Sequence, residues 1–255
     1  MFSIEIEVPP EERELVIAEL WERGVAGIVE LGENGLRAFF EDEAEIRALE
    51  ARYPGAARRK EEDRDWVEAA RDLLQPMEVG ERFFLVPEWR DDPAPAGRFR
   101  MVINPGMAFG TGVHETTRLC LEALERYVRP GMDVLDVGTG SGILARAAAL
   151  LGARRVYACD IDANAVEIAG QGEGPAPLRF VGSVDGVKGG VADVVVANIS
   201  PEAITKLAAD LKRARRAGGV LLASGFEVPE IELVKAALGV VREVRRKGNW
   251  AMVVA

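Results

Sequence analysis

The spacing of apolar side chains changes twice along the chain. At the front, residues 2–8 alternate apolar and polar side chains, which predicts a strand, and apolar positions at helical spacing follow up to Gly24. Two further strand-like runs, 27–31 and 36–40, flank a turn, and a helical stretch covers 43–52. The order strand, helix, strand, strand, helix is typical of a small ferredoxin-like α+β domain.

The middle of the chain, residues 56–97, predicts a connection. A run of charged side chains covers 58–64, a short helix is predicted over 65–74, and a strand over 82–86. Charge runs are usually solvated, so we expect the run to act as a flexible linker that is cut first in limited proteolysis.

From residue 130 onward, short apolar runs alternate with helical segments. These runs are near-continuous, as strands buried on both faces must be. They cover 134–137, 156–159, 179–181, 194–197 and 220–223. The pattern predicts an α/β fold with a doubly wound, mostly parallel sheet, whose ligand site lies at the carboxyl ends of the strands.

Composition limits the classes of protein. The 255 residues are 48% apolar and 29% charged, which is typical of a globular protein, and no apolar run has the roughly 20 residues of a membrane span. Met1 leads directly into the strand pattern without a signal segment, so we expect a cytoplasmic location and no membrane partner. Two cysteines and one histidine exclude a disulfide framework and a multi-histidine metal site, so we expect no metal.

The chain has a net charge of −10, and the charges are distributed unevenly along its length. The first 97 residues carry 25 acidic and 12 basic side chains, whereas the remainder carries 17 acidic and 20 basic ones. An acidic front end disfavours direct binding of nucleic acid and suits a basic protein partner. Plain solubility explains the same bias equally well.

A glycine-rich loop, 136–142 (Asp-Val-Gly-Thr-Gly-Ser-Gly), directly follows a predicted buried strand and precedes a predicted helix. Glycine allows a sharp turn and close approach of a ligand, and the helix start offers free N–H groups. A nucleotide-like ligand suits such a corner.

The next strand ends in Asp160, 22 residues after Gly138. An acid there can accept hydrogen bonds from ribose hydroxyls, as in enzymes that bind NAD or S-adenosylmethionine. The dinucleotide fingerprint requires glycine or alanine where this chain has Ile143, whereas Gly-x-Gly-x-Gly after Asp136 favours S-adenosylmethionine.

A third motif, Asn198-Ile199-Ser200-Pro201, ends the fourth of these strands. Ser200 and Pro201 are ordinary start signals of a helix. They leave unexplained why a polar amide, Asn198, ends an apolar run on the side of the cleft. An amide oxygen there could align an amine lone pair with a methyl sulfonium, which indicates a nitrogen acceptor.

The fourth motif covers 104–117 and places three glycines around Phe109, ahead of a predicted amphipathic helix over 115–128. It lacks the lysine of an ATP-binding P-loop. It is consistent with a mobile loop over a ligand or with a tight inter-domain turn. His114 is a candidate base, although a single histidine at a helix start is more often a cap or a packing residue.

Together these motifs resemble the ribosomal protein L-eleven (L11) methyltransferases, which are class I S-adenosylmethionine-dependent enzymes. The stretch 104–121 resembles the most distinctive motif of that family, and 138–144, 160–162, 196–199 and 224–225 are similar in order and spacing. The resemblance is close over 65–255 and covers 1–60 mainly in pattern.

The resemblance implies a function and a domain plan. The enzyme would transfer methyl groups from S-adenosylmethionine to lysine or α-amino groups of the ribosomal protein. Residues 1–60 would recognise this substrate, 61–76 would form a linker helix, and 77–255 would form the catalytic domain. We expect a monomer.

The resemblance also implies a set of site residues. Asn198 would orient the acceptor nitrogen and contact the cofactor, and Phe109, Gly110 and Thr111 would lie over its methionine end. The remaining candidate cofactor contacts are Thr117, Gly138, Gly140, Asp160, Ile161 and Ser183.

Three features depart from the family pattern. The helix after Asp160 breaks early, at 170–175. Ser183 stands where an acid often contacts the adenine, and Asp185 lies nearby in the sequence. Ala70 replaces an aromatic residue that is usual in the linker helix. Two alternatives stay open: an N-methyltransferase for another basic protein or a small amine, and a nucleotide-binding oxidoreductase or non-catalytic module.

Overall fold

The computed structural model describes residues 2–32, 34–40, 42–60, 75–104, 114–171 and 174–255. The chain divides into two compact units, Met1–Gln75 and Pro76–Ala255. The helix predicted over 65–74 and the substitution at Ala70 lie outside the described residues.

The first unit is a four-stranded antiparallel sheet with two helices, of which the sequence pattern predicts both helices and three strands. Its elements are β1 (Phe2–Glu7), α1 (Arg13–Glu22), β2 (Gly27–Leu31), β3 (Gly35–Phe40), α2 (Glu43–Arg52) and β4 (Ala57–Lys60). The strand order is β2-β3-β1-β4. The alternation in β1 buries Ile4 and Ile6 against Leu20 of α1 and Ile46 and Leu49 of α2.

Strand β4 corrects one prediction. Residues 58–60 were expected to start a flexible charged linker, but they pair antiparallel with β1, with Arg58 opposite Ile4. An edge strand is held by backbone hydrogen bonds and tolerates charged side chains, so apolar alternation does not reveal it. Arg58 also pairs with Glu43 of α2 at 2.7 Å.

The second unit starts with a small three-stranded sheet. It comprises β5 (Met77–Val79), β6 (Phe83–Pro87) and β7 (Phe99–Ile103), in the order β5-β6-β7. Only β6 was predicted. The carboxylate of Glu125 accepts the backbone N–H groups of Glu81 and Arg82 at 3.0 and 2.8 Å, which fastens the β5–β6 turn to the larger part of the unit.

The larger part is a seven-stranded sheet flanked by helices. In chain order it comprises α3 (Glu115–Tyr127), β8 (Asp133–Val137), α4 (Ile143–Leu150), β9 (Arg155–Asp160), α5 (Ala163–Ala169), β10 (Leu178–Val181), β11 (Ala192–Asn198), α6 (Pro201–Ala214), β12 (Arg215–Glu227), α7 (Ile231–Leu238), β13 (Glu243–Lys247) and β14 (Trp250–Val254). None of the helices in the described ranges is long and apolar enough to cross a membrane.

The strand order is β10-β9-β8-β11-β12-β14-β13. The first five strands run parallel, and β14 is antiparallel to both of its neighbours. One apolar core joins α3 and α4 to a face of the sheet, and a second joins α6 and α7 to the other face. The predicted doubly wound, mostly parallel sheet is confirmed. Because β9, β8 and β11 are neighbours, their carboxyl ends meet at one edge.

Candidate functional site

The glycine loop after β8 is fastened to the end of β9. The backbone N–H groups of Gly138 and Thr139 both donate to the carbonyl of Cys159, at 2.9 and 3.0 Å. The N–H of Gly140 donates to Asp160 Oδ2 at 2.9 Å. The loop and the acid, which the sequence singled out separately, therefore form one hydrogen-bonded unit.

The carboxylate of Asp160 is oriented by backbone groups on both sides. Oδ2 accepts from Gly140, and Oδ1 accepts the N–H of Asp162 at 3.1 Å. A carboxylate oxygen accepts more than one hydrogen bond, so each oxygen retains capacity for a ligand hydroxyl. This geometry suits a pair of ribose hydroxyls.

Two loop glycines have no substitute. Gly138 and Gly142 adopt positive φ values of 70° and 76°, which side-chain-bearing residues rarely adopt. A Cβ on Gly138 would collide with the side chain of Ile199, and one on Gly142 would lie 2.8 Å from the Cα of Ala169. The loop therefore packs against α5 and against the residue that follows Asn198.

Asp136 lies fully buried beneath the loop. Its Oδ2 accepts the hydroxyl of Thr139 at 2.8 Å and the N–H of Ala145 at 3.1 Å, so it links the loop to α4. Burial raises the pKa of Asp136 to about 7, and the negative charge of Asp160 adds to the effect. Its Oδ1 is buried without a hydrogen-bond partner among the described residues.

Asn198 ends β11, where the sequence predicted it, and contacts α3. Its Nδ2 donates to the hydroxyl of Thr117 at 3.4 Å. Thr117 is buried, and Asn198 Oδ1 is a buried atom without a partner among the described residues. Because Nδ2 donates to Thr117, the amide is held in one orientation, and Oδ1 stays available as a hydrogen-bond acceptor. Ser200 caps α6, as predicted, by accepting the N–H of Ala203 at 3.3 Å.

His114 is the N-cap of α3. Its Nδ1 lies 2.8 Å from the hydroxyl of Thr116 and accepts the N–H of Thr116 at 3.4 Å. The ring also packs edge-on against Trp250, with 4.5 Å between ring centroids. The capping and packing role expected for a histidine at a helix start accounts for these contacts.

Ile161 and Ser183 lie at the carboxyl ends of β9 and β10. Ile161 is 81% exposed and offers an apolar surface beside Asp160. The carbonyl of Ser183 accepts the N–H of Gly186 at 3.2 Å, and Asp185 Oδ1 accepts the same N–H at 2.9 Å. Helix α5 ends at Ala169, at the predicted break.

Three predicted site residues, Phe109, Gly110 and Thr111, lie outside the described residues, so their placement over the cofactor stays a prediction. The other candidates, from Thr117 to Asn198, lie at the carboxyl ends of the strands or on the first turn of α3.

Two residues at this edge, Ser224 and Trp250, were not among the predicted site residues. Ser224 is fully buried beside Asn198 in the neighbouring strand and donates to the carbonyl of Ala251 at 2.9 Å. Trp250 reaches His114 from the last strand. Ser224 was included only in the family resemblance, as part of 224–225. No local pattern connects Trp250 with His114, which lies 136 positions earlier.

The polar groups at this edge fit S-adenosylmethionine, the cofactor of class I methyltransferases. Two buried acceptor oxygens, Asp136 Oδ1 and Asn198 Oδ1, have no partner among the described residues. Unpartnered buried acceptors are costly and favour a ligand with donor or cationic groups. S-adenosylmethionine carries an ammonium and a sulfonium cation, and its ribose hydroxyls suit the oriented carboxylate of Asp160.

Comparison with known proteins gives concordant results. The family model described as "Ribosomal protein L11 methyltransferase (PrmA)" matches residues 36–255. The chain is 39% identical over 236 residues to a ribosomal protein L11 methyltransferase of Symbiobacterium thermophilum, covering 91% of this chain and 76% of that protein.

A relative with the same name from Caldicellulosiruptor bescii is 43% identical over 205 residues. That alignment covers 76% of this chain and 66% of the relative, slightly less than two thirds of its length. The crystal structure of a ribosomal protein L11 methylase from Lactobacillus delbrueckii subsp. bulgaricus superposes with a TM-score of 0.65 and 28% identity, over 71% of this chain and 96% of that one. The resemblance inferred from the motifs is confirmed, and the chain belongs to the ribosomal protein L11 methyltransferase family.

Proposed function

We propose that this protein transfers methyl groups from S-adenosylmethionine to amino groups of ribosomal protein L11. One observation carries the proposal: Asn198 ends β11 with its Nδ2 committed to Thr117 and its buried Oδ1 unpartnered, in the strand next to the glycine loop. The name that the relatives share supports the choice of substrate. A ribosomal protein substrate also implies that the enzyme works in the cytoplasm.

The cofactor contacts follow from the geometry of the edge. Asp160 would accept the ribose hydroxyls, and Gly138 and Gly140 would let the loop backbone approach the cofactor closely. Ile161 would pack against the adenine, with Ser183 beside it, and Thr117 would lie at the methionine end. The bound cofactor supplies an electrophilic methyl group on a positively charged sulfur.

Methyl transfer requires a neutral acceptor amine. A free lysine has a pKa near 10.4, so roughly a few molecules in ten thousand are neutral at pH 7, whereas an α-amine with a pKa near 7.7–8.0 is neutral far more often. Partial desolvation in the cleft and the nearby positive sulfur both lower the amine pKa. Asn198 Oδ1 would accept an N–H of the amine and thereby aim its lone pair at the methyl carbon.

Proton loss to water frees the lone pair of the acceptor amine before it attacks, so no dedicated general base is required. His114, the only histidine in the chain, is engaged in capping α3 and packing on Trp250. Rate acceleration would come mainly from orientation of the amine and its desolvation.

Residues 1–60 would recognise the substrate. They carry 14 acidic and 8 basic side chains and form a compact sheet-and-helix unit with its own core. An acidic surface attracts a basic ribosomal protein over several ångströms and raises the rate of encounter. Residues 61–76 would be the linker and 77–255 the catalytic domain.

The deciding experiment is transfer of labelled methyl groups from S-adenosylmethionine to purified ribosomal protein L11, followed by intact-mass analysis. We expect mass increments of one methyl group. Competition with another basic protein and with a free small amine identifies the acceptor class. Binding of the cofactor without transfer to L11 would overturn the substrate assignment, and failure to bind the cofactor would overturn the proposal as a whole.

A further inference from the structure

Helix α3 is held along its length by the C-terminal hairpin β13–β14. At its carboxyl end, the hydroxyl of Tyr127 donates to Glu243 at 2.8 Å, and Arg126 pairs with the same carboxylate at 3.1 Å. Midway along the helix, Lys247 pairs with Glu122 at 2.6 Å. At its amino end, His114 meets Trp250. The N-cap His114 and the helix residues Glu122 and Arg126 all contact the hairpin.

The contact at the amino end differs in kind from the other two. Ion pairs between long side chains tolerate small shifts of the helix along its axis, because the side chains readjust. The ring of His114 has few internal rotations, and its Nδ1 is already committed to Thr116. The T-shaped contact with Trp250 therefore constrains the first turn of α3 directly.

Trp250 itself is well placed to act as a fixed support. Its backbone pairs with Glu227 of β12 on one side and with Lys247 of β13 on the other. The neighbouring residues Ala251 and Met252 are fully buried. The indole is thus attached to the rigid sheet, and the first turn of α3 rests against it through His114.

The first turn of α3 carries Thr117, whose hydroxyl accepts the Nδ2 of Asn198. The distance of 3.4 Å is at the long end for a hydrogen bond, so a further shift of less than 1 Å would break the contact. Without it, the amide of Asn198 could turn over and present its NH₂ group where the oxygen is needed.

We propose that Trp250 is a positioning residue for methyl transfer, which acts through His114 and Thr117 to set the orientation of the Asn198 amide. The inference rests on the proposed use of this edge as the cofactor and acceptor site. It assigns a role in the reaction to a residue of the last strand.

The test compares Trp250→Ala with Trp250→Phe. Binding of S-adenosylhomocysteine is measured by calorimetry, and KM for S-adenosylmethionine and kcat are measured with L11 as acceptor. For Trp250→Ala we expect cofactor binding within several-fold of the native value and a fall in kcat of about tenfold or more, since small misplacements of reacting groups are costly. Phenylalanine preserves an aromatic surface against His114 and should restore most of the lost kcat.

A control at the other end of the hairpin separates positioning from stability. Tyr127→Phe removes the hydrogen bond to Glu243 and should lower the melting temperature while leaving cofactor binding and kcat unchanged. His114→Ala should reproduce the effect of Trp250→Ala, and the double variant should be no worse than either single one, because both act through one contact.

These measurements test the proposed function and the role of Trp250 separately. If the native protein binds no cofactor, the proposed function fails. If it binds cofactor but Trp250→Ala keeps native kcat, the positioning role alone is overturned. Additive effects of the His114 and Trp250 substitutions, or equal losses in Tyr127→Phe, would also overturn it, because they would indicate a general loss of stability.

Discussion

The Oδ2 atom of Asp160 accepts the backbone N–H of Gly140 at 2.9 Å, so the acid at the end of β9 also holds the glycine loop at the end of β8. The parallel pairing of β8 and β9 brings these two strand ends together. One carboxylate therefore holds the loop, and we propose that it also accepts hydrogen bonds from the ligand.

Replacing Asp160 with alanine should abolish most cofactor affinity. It removes the ribose acceptors and releases the loop, and two charge-assisted hydrogen bonds together correspond to about 3 kcal/mol or more, which is over a hundredfold in affinity. Calorimetry with S-adenosylhomocysteine measures the loss. Asp162→Ala is the matched control, because Asp162 only caps α5 by accepting the N–H of Asn164 at 2.9 Å. That variant should lose about 1 kcal/mol of stability and keep its affinity. Equal affinities of the two variants would contradict the role of Asp160.

Asn198→Ala should separate binding from turnover. Since Asp160 and the loop remain, we expect cofactor affinity within several-fold of the native value, whereas loss of the aligning oxygen should reduce kcat by about a hundredfold or more. Single-turnover methyl transfer at saturating cofactor is the measurement. Ser200→Ala, which removes only the cap of α6, should keep native turnover. Survival of turnover in Asn198→Ala would show that the assignment is wrong.

Asp136 should make the ligand-free protein less stable as the pH rises toward 8. Its pKa is about 7 in the folded protein against an ordinary value of 3.8, so near pH 5.5 the folded state holds a proton that the unfolded state has released. Raising the pH removes that proton from a buried site, which costs about 2 kcal/mol between pH 5.5 and 8. Urea unfolding of native protein and Asp136→Asn at both pH values measures this difference. A pH dependence unchanged by the substitution would exclude Asp136 as its source.

Alanine at Gly142 should damage the protein more than alanine at Gly138. Both positions have positive φ, but the new Cβ at 142 meets the backbone of Ala169, whereas at 138 it meets only a side chain, Ile199. A side chain can rotate away and a helix backbone cannot. We expect Gly142→Ala to lose about 3 kcal/mol or more of stability. The double variant Gly138→Ala/Ile199→Ala should recover part of the stability lost by Gly138→Ala, and thermal unfolding of the three proteins checks the order.

Much of the fold and part of the candidate site follow from local sequence. The buried parallel strands are apolar runs, so β8, β9 and β11 were identifiable without knowledge of their neighbours. The glycine loop and Asp160 were identifiable because glycine and an acid at strand ends meet specific backbone and ligand requirements. Five strands, β4, β5, β7, β13 and β14, were not predicted. The side chains of β4 and β13 are mostly charged, whereas β7 and β14 carry apolar runs that were not singled out.

The tertiary structure decided which of these residues act together. The sequence by itself determined that a glycine loop, an acid and an amide end three of the predicted buried strands, because each is marked by its own few neighbours. Only the folded chain shows that Asp160 holds Gly140, that Thr117 commits one end of Asn198, and that Trp250 supports His114. These contacts join residues from 20 to 136 positions apart, and their distances depend on strand order and helix packing, which no local pattern encodes.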